Sequence, residues 1–163
     1  MDPFIKLIML GDLNQVKLGV RERIELVNTI LPVTKHTRST PLIAALASEN
    51  REMIDLILEC PTLQVSTKYN PVDYGDTSGN WTELETVFHV MAMFTVPLDI
   101  CRRILDHPTL DTNALNSVNH DDYTPLDLAV EYHPNLVPFL KAKGARRYWR
   151  VGPGFKPNPN EPC

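Results

Sequence analysis

The chain has 163 residues, enough for one domain with a continuous core. Hydrophobic residues at 43% and charged residues at 22% exclude a disordered chain, and a net charge of −4 argues against a general nucleic-acid binder. Three widely spaced cysteines (Cys60, Cys101, Cys163) with no Cys-x-x-Cys argue against a disulfide framework and read as reduced thiols in a cytosol-like compartment.

The chain opens with an apolar run, Phe4 to Leu10, that Lys6 interrupts and that is too short for a signal-peptide core or a membrane span. Asp2 and Pro3 suit the N-cap and first position of a helix. Gly11-Asp12-Leu13 reads as a turn into a second helix carrying Val16, and Glu25 to Pro32 as a link with room for an extra helical turn. Next comes Thr40-Pro41-Leu42-Ile43-Ala44-Ala45-Leu46, where the threonine hydroxyl can cap and proline fits the first helical position because no amide donor is needed there. Met53 to Leu58 reads as its returning helix.

Residues 68–85 read KYNPVDYGDTSGNWTELE, and Asn70-Pro71, Gly75-Asp76 and Ser78-Gly79-Asn80 rule out a long helix. Tyr69, Tyr74 and Trp81 are aromatics that a plain solvent linker would avoid. Two readings stand: a hairpin finger whose rings fold back on the helices, or one that presents them to a partner. A third opening follows at Thr86-Val87-Phe88-His89-Val90-Met91-Ala92, with Ile100 to Leu105 as its second helix. The fourth is Tyr123-Thr124-Pro125-Leu126-Asp127-Leu128-Ala129-Val130, in which Leu126, Ala129 and Val130 fall on one helical face. His133-Pro134 breaks that helix, Leu136 to Leu140 returns, and Gly144 supplies a left-handed stop. A basic, aromatic end follows (Lys141, Lys143, Arg146, Arg147, Tyr148, Trp149, Arg150, Lys156), whereas Glu49 to Asp122 holds 13 acidic residues against 4 basic ones.

These stretches are copies of one another. Leu58-Glu59-Cys60-Pro61-Thr62-Leu63 matches Leu105-Asp106-His107-Pro108-Thr109-Leu110, so the endings repeat as well as the openings. A helix pair too small to bury its own apolar face predicts a stacked array. The residues resemble the ankyrin repeat, with its Thr-Pro-Leu-His-x-Ala-Ala opening, second helix and Gly-Ala ending, from about Phe4 to Arg147. Thr40 to Thr86 spans 46 positions and Thr86 to Thr124 spans 38, against about 33 in the family, so the links carry insertions. Only the third copy keeps the histidine, His89, and only the fourth keeps Gly144-Ala145.

The resemblance implies an all-α, ankyrin-repeat-like solenoid over residues 1–150, with units near 3–35, 36–68, 82–115 and 120–147. It further implies an extended finger between units two and three, and a Pro/Gly/Asn-rich tail over 151–163. It implies that His89 hydrogen-bonds between neighbouring links, and that Met93, Phe94, Glu131 and Tyr132 face a concave groove with Arg38, Asp122 and Tyr123 near the hairpin tips. A methionine or aromatic at helical spacing also reads as core, so Met93 and Phe94 have that second reading. The function implied is binding of another protein by a monomeric, cytoplasmic module, an adaptor, an inhibitor or a pathogen effector delivered into a host cytosol. Tyr69, Tyr74 and Trp81 of the finger join the candidate site.

No phosphate loop, nucleophile elbow or zinc-ligand spacing is present, so neither catalysis, cofactor, metal nor small-molecule substrate is expected. A Cys101/His107 nucleophile pair is the nearest approach to chemistry, and it lacks an oxyanion site. The alternative function is a nucleic-acid or anionic membrane-surface tether through the basic end. Against it, Tyr148 and Trp149 suit a cover over the end of the array, with the charges keeping it soluble.

Overall fold

The structure, a computed structural model, describes residues 1–35, 37–69, 85–94 and 96–147. Tyr74, Trp81 and the basic end beyond Arg147 lie outside the described residues.

Helix starts follow their local chemistry. Asp2 accepts from the Phe4 and Ile5 amides to open α1 (Pro3–Leu10), and Thr40 accepts from the Ile43 amide to open α3 (Pro41–Ala47). Asp12 and Asn50 cap the two second helices, α2 (Leu13–Glu22) and α4 (Arg51–Leu58), in the same way. The third pair is α5 (Val87–Met93) and α6 (Leu98–Leu105), and a short α7 (Thr112–Leu115), not foreseen in the sequence, follows it. The fourth pair is α8 (Pro125–Tyr132) and α9 (Val137–Ala142), joined through His133 and a 3₁₀ turn at Pro134–Leu136. Gly11 (φ 72°) and Gly144 (φ 85°) end helices in the left-handed region, where a side chain would be strained. The expected extra turn in the first link is a 3₁₀ helix, Ile24–Asn28.

The first helices pack in succession, α1 on α3, α3 on α5 and α5 on α8, while α4 contacts α2 and α9 contacts α6. The described residues are therefore mostly helical, with a small antiparallel pair, β1 (Leu31–Pro32) with β2 (Arg38–Ser39), in the link before α3 and an isolated antiparallel bridge between Tyr69 and Glu85. Between the layers lie Ile5 and Ile8, Leu42 and Ala45, Phe88 and Met91, and Leu126 and Ala129. Val130 departs from the expected shared face: it is 45% exposed, and Leu128 takes the buried place beside Ala129.

Three clasps repeat along the stack. Asn28 donates to Thr62 O (2.7 Å) and accepts from Gln64 N (2.7 Å). Thr109 donates to Leu63 O (3.0 Å) and accepts from Val65 N (3.1 Å). Asn116 donates to Gly144 O (3.1 Å) and accepts from Arg146 N (2.6 Å). In each, one side chain satisfies a carbonyl and the amide two residues on, across a boundary between units, where unpaired backbone groups would be costly. Ion pairs reinforce the second-helix side: Arg51 with Asp99 (2.5 Å), Arg103 with Asp55, and Lys143 with Asp106 (2.7 Å). Arg102 stacks over Phe139 at 4.3 Å.

Candidate interaction surface

The ends of the first helices turn away from the core. Met91 and Ala92 are the last buried positions of α5, and the backbone then becomes extended at Phe94, whose amide still closes on Val90 O at 2.9 Å. The Phe94 ring is 60% exposed as a result, and Met93 beside it is exposed too. The core reading of these two residues is therefore excluded.

On α8 the corresponding pair is Glu131 and Tyr132, with Tyr132 54% exposed. A hydrogen bond to Glu131 raises the pKa of the Tyr132 phenol, because an ionised oxygen would forfeit it and face the carboxylate. Tyr123 lies close enough to add to that shift. The two helix ends are fixed side by side by His133: its Nδ1 donates to Met91 O at 3.0 Å, since a carbonyl only accepts.

A buried histidine sets the hairpin tip before α8. His89 Nδ1 accepts from the Thr86 amide (3.1 Å), which leaves the proton on Nε2, facing Ser117 O and Tyr123 O at 3.2 Å each. Burial pushes the imidazole pKa down to about 4, so it stays neutral near pH 7. Buried Asn119 completes the tip, accepting from the Asp121 and Tyr123 amides (3.1 and 3.0 Å) and donating its own amide to Tyr123 O (3.0 Å). Asp122 turns the chain at φ 61°, a conformation that aspartate tolerates better than most residues. The expected role of His89 between links is thus present.

The structure brings Tyr123, Glu131 and Tyr132 together, next to the end of α5 with Met93 and Phe94. Arg38 sits apart, on the hairpin before α3. Tyr69 is a correction. It is only 4% exposed, bridges Glu85 through its backbone (2.9 Å) and points its hydroxyl at Glu85 Oε2 (3.4 Å), so it closes the base of the insertion as a core residue and is not offered to a partner. Burial raises the pKa values of both Tyr69 and Glu85. Tyr74 and Trp81 lie outside the described residues.

Sequence reasoning missed Met9 and Leu10. They occupy the places on α1 that Met93 and Phe94 hold at the end of α5, and Leu10 is 70% exposed. Aligning the weak first copy on Pro3, as the others align on Pro41 and Pro125, would have found them. Cys101 and His107 do not face one another: Cys101 Sγ lies against Val96 O, its thiol pKa pushed up to about 12 by burial, and His107 Nδ1 pairs with Thr109. Among the described residues no group of three histidine, cysteine or acidic side chains could hold a metal ion, and no helix is long and apolar enough to cross a membrane. Of the basic end, Lys143 pairs with Asp106, and Arg147 Nε with Asp127 at 2.9 Å. In comparisons with known proteins, no family model matches the chain and no curated protein is significantly similar to it.

Proposed function

We propose that the chain is a non-catalytic protein-binding module, an irregular ankyrin-type stack of about four units that acts as an adaptor, an inhibitor or an effector. Its partner protein lies along the ends of the first helices and reaches the hairpin tip at Tyr123. One observation carries this reading: large side chains are exposed at equivalent places at the ends of three of the four first helices, Leu10, Phe94 and Tyr132, with Ser48 at that place after α3. Rigid aromatic rings on a fixed scaffold bury much area at little entropic cost, which is how interface energy is concentrated.

The test is Phe94→Ala with Tyr132→Ala. Both rings are more than half exposed, so circular dichroism and melting should stay near wild type while capture of the partner is lost. A folded double variant that retains the same partner in affinity capture with mass spectrometry would sink this reading.

A further inference from the structure

We propose that the chain closes its own stack: Tyr148 and Trp149, just beyond the described residues, seat on the outer face of α8 at Val130, where a further unit would otherwise lie. This goes beyond the binding reading above and does not depend on it.

Positions counted from the helix caps identify the face. Six residues after the caps Asp2, Thr40, Thr86 and Thr124 stand Ile8, Leu46, Ala92 and Val130. The first three are at most 7% exposed, and each belongs to a first helix with another packed beyond it: α3 on α1, α5 on α3 and α8 on α5. Val130 holds the same place in the last of these helices and is 45% exposed. An apolar side chain at the end of a stacked array stays in water unless something covers it, which is why terminal units carry a polar outer face. The opposite end does carry one. Four residues after the cap, α1 has exposed Lys6 where α3 and α8 bury Ala44 and Leu128.

The described chain already heads for the face at Val130. Three residues after their caps, Ile5, Ile43 and His89 are buried, and His89 reaches the following link at Ser117 O and Tyr123 O. In α8 that place belongs to Asp127, whose side chain is 7% exposed and accepts from Arg147 Nε at 2.9 Å. Buried Ala145 and the Arg146 amide, bonded to the Asn116 side chain, fix the chain just before it. The segment after α9 thus takes the place that the next link takes for His89. Val130 lies three residues past Asp127, one turn along the same helical face and about 4.5 Å further in axial rise. Tyr148 and Trp149 directly follow Arg147 and add about 3.5 Å of reach each. Their rings bring large apolar area on few rotatable bonds, which suits a short cover.

Fluorescence of the full chain tests this, because Trp81 and Trp149 are its two tryptophans. In a Trp81→Phe background, Trp149 should emit at shorter wavelength than in the urea-unfolded chain and should resist quenching by acrylamide. Val130→Gln should reverse both in the folded protein. Melting of variants that keep Trp81 supplies an independent measurement. Val130→Gln and Tyr148→Ala/Trp149→Ala should each lower the midpoint by about 2–4 °C, and their combination should lower it no further. Trp149 emission and quenching equal to those of the unfolded chain, or melting losses that add, would overturn the assignment. So would shielding of Trp149 that disappears on dilution while sedimentation equilibrium shows a dimer, since the occupant would then be a second copy.

Discussion

The junction between units three and four is built differently from the one between units two and three. At the first, α5 and α8 pack extensively, His89 reaches into the following link, and His133 reaches back to α5. At the second, α3 and α5 touch much less, and the union shifts to the opposite side of the stack. There Thr109 clasps Leu63 and Val65, Ser66 is bonded to Thr109 O (3.1 Å) and Asp111 N (2.7 Å), and ion pairs join α4 to α6. Link length tracks the contrast: 46 positions separate Thr40 from Thr86, and 38 separate Thr86 from Thr124. Where an insertion enters between the units, the hairpin side cannot close over the neighbouring helix as tightly, and turns on the other side carry the connection.

Acid should separate the two junctions most sharply. His89 is neutral in the fold with its pKa held at about 4, whereas in the unfolded chain it titrates near the ordinary imidazole value of 6.5. As pH falls through that window the unfolded state takes up the proton first, so stability drops, by roughly 3 kcal/mol in all. Glu85, with its carboxyl raised by burial, works in the opposite sense, because the folded state then holds its proton more firmly. Comparing wild type with His89→Gln in urea titrations at several pH values isolates the histidine. The variant should lose the acid-dependent decline, and an unchanged decline would remove His89 from the junction's energetics.

A smaller effect is expected at the other junction. Thr109→Val keeps the shape and deletes the hydroxyl, leaving the Val65 amide without its acceptor and Leu63 O without its donor. The cost should be about 1–2 kcal/mol at neutral pH, where His107 Nδ1 also loses its Thr109 partner. A loss below the error of the melting midpoint would mean that the ion pairs alone hold α4 to α6.

The smallest effect belongs to the insertion itself. Tyr69 and Glu85 already face each other as an antiparallel bridge, so replacing residues 70–84 with a two-residue Asn-Gly turn retains the pairing geometry. Closure entropy varies slowly with loop length, and a stability change of about 1 kcal/mol or less is expected by urea titration. Unfolding on this replacement would show that residues within 70–84 contribute to the core, and would make the second junction the stronger of the two.

Several elements were legible in the residues before any coordinates. Asp2-Pro3, Thr40-Pro41 and Thr124-Pro125 each start a helix where they predict one, because a cap is settled within three or four residues of chain. Asp127 closes a capping box with Thr124, and His89 uses its ring in the same position toward Thr86. The left-handed stop expected at Gly144 is local in the same sense, as is the turn expected at Gly11.

The candidate site was legible in part. Met93, Phe94 and Tyr132 lie where the copies align, but Tyr69 reads the same as an exposed aromatic until its pairing with Glu85 is seen. Val130 shows the limit of periodicity: spacing places it with Leu126 and Ala129, yet how α8 rotates against α5 decides which residues are covered. By itself the sequence determined the helical units, their starts and stops, and their order, all consequences of interactions between residues a few positions apart. Only the tertiary structure decided the clasps, which join Asn28, Thr109 and Asn116 to backbone 28–46 positions away, and the ion pairs that join Arg51 to Asp99 and Arg103 to Asp55. Those outcomes depend on which surfaces meet when the units pack, and no pattern within a single unit encodes that.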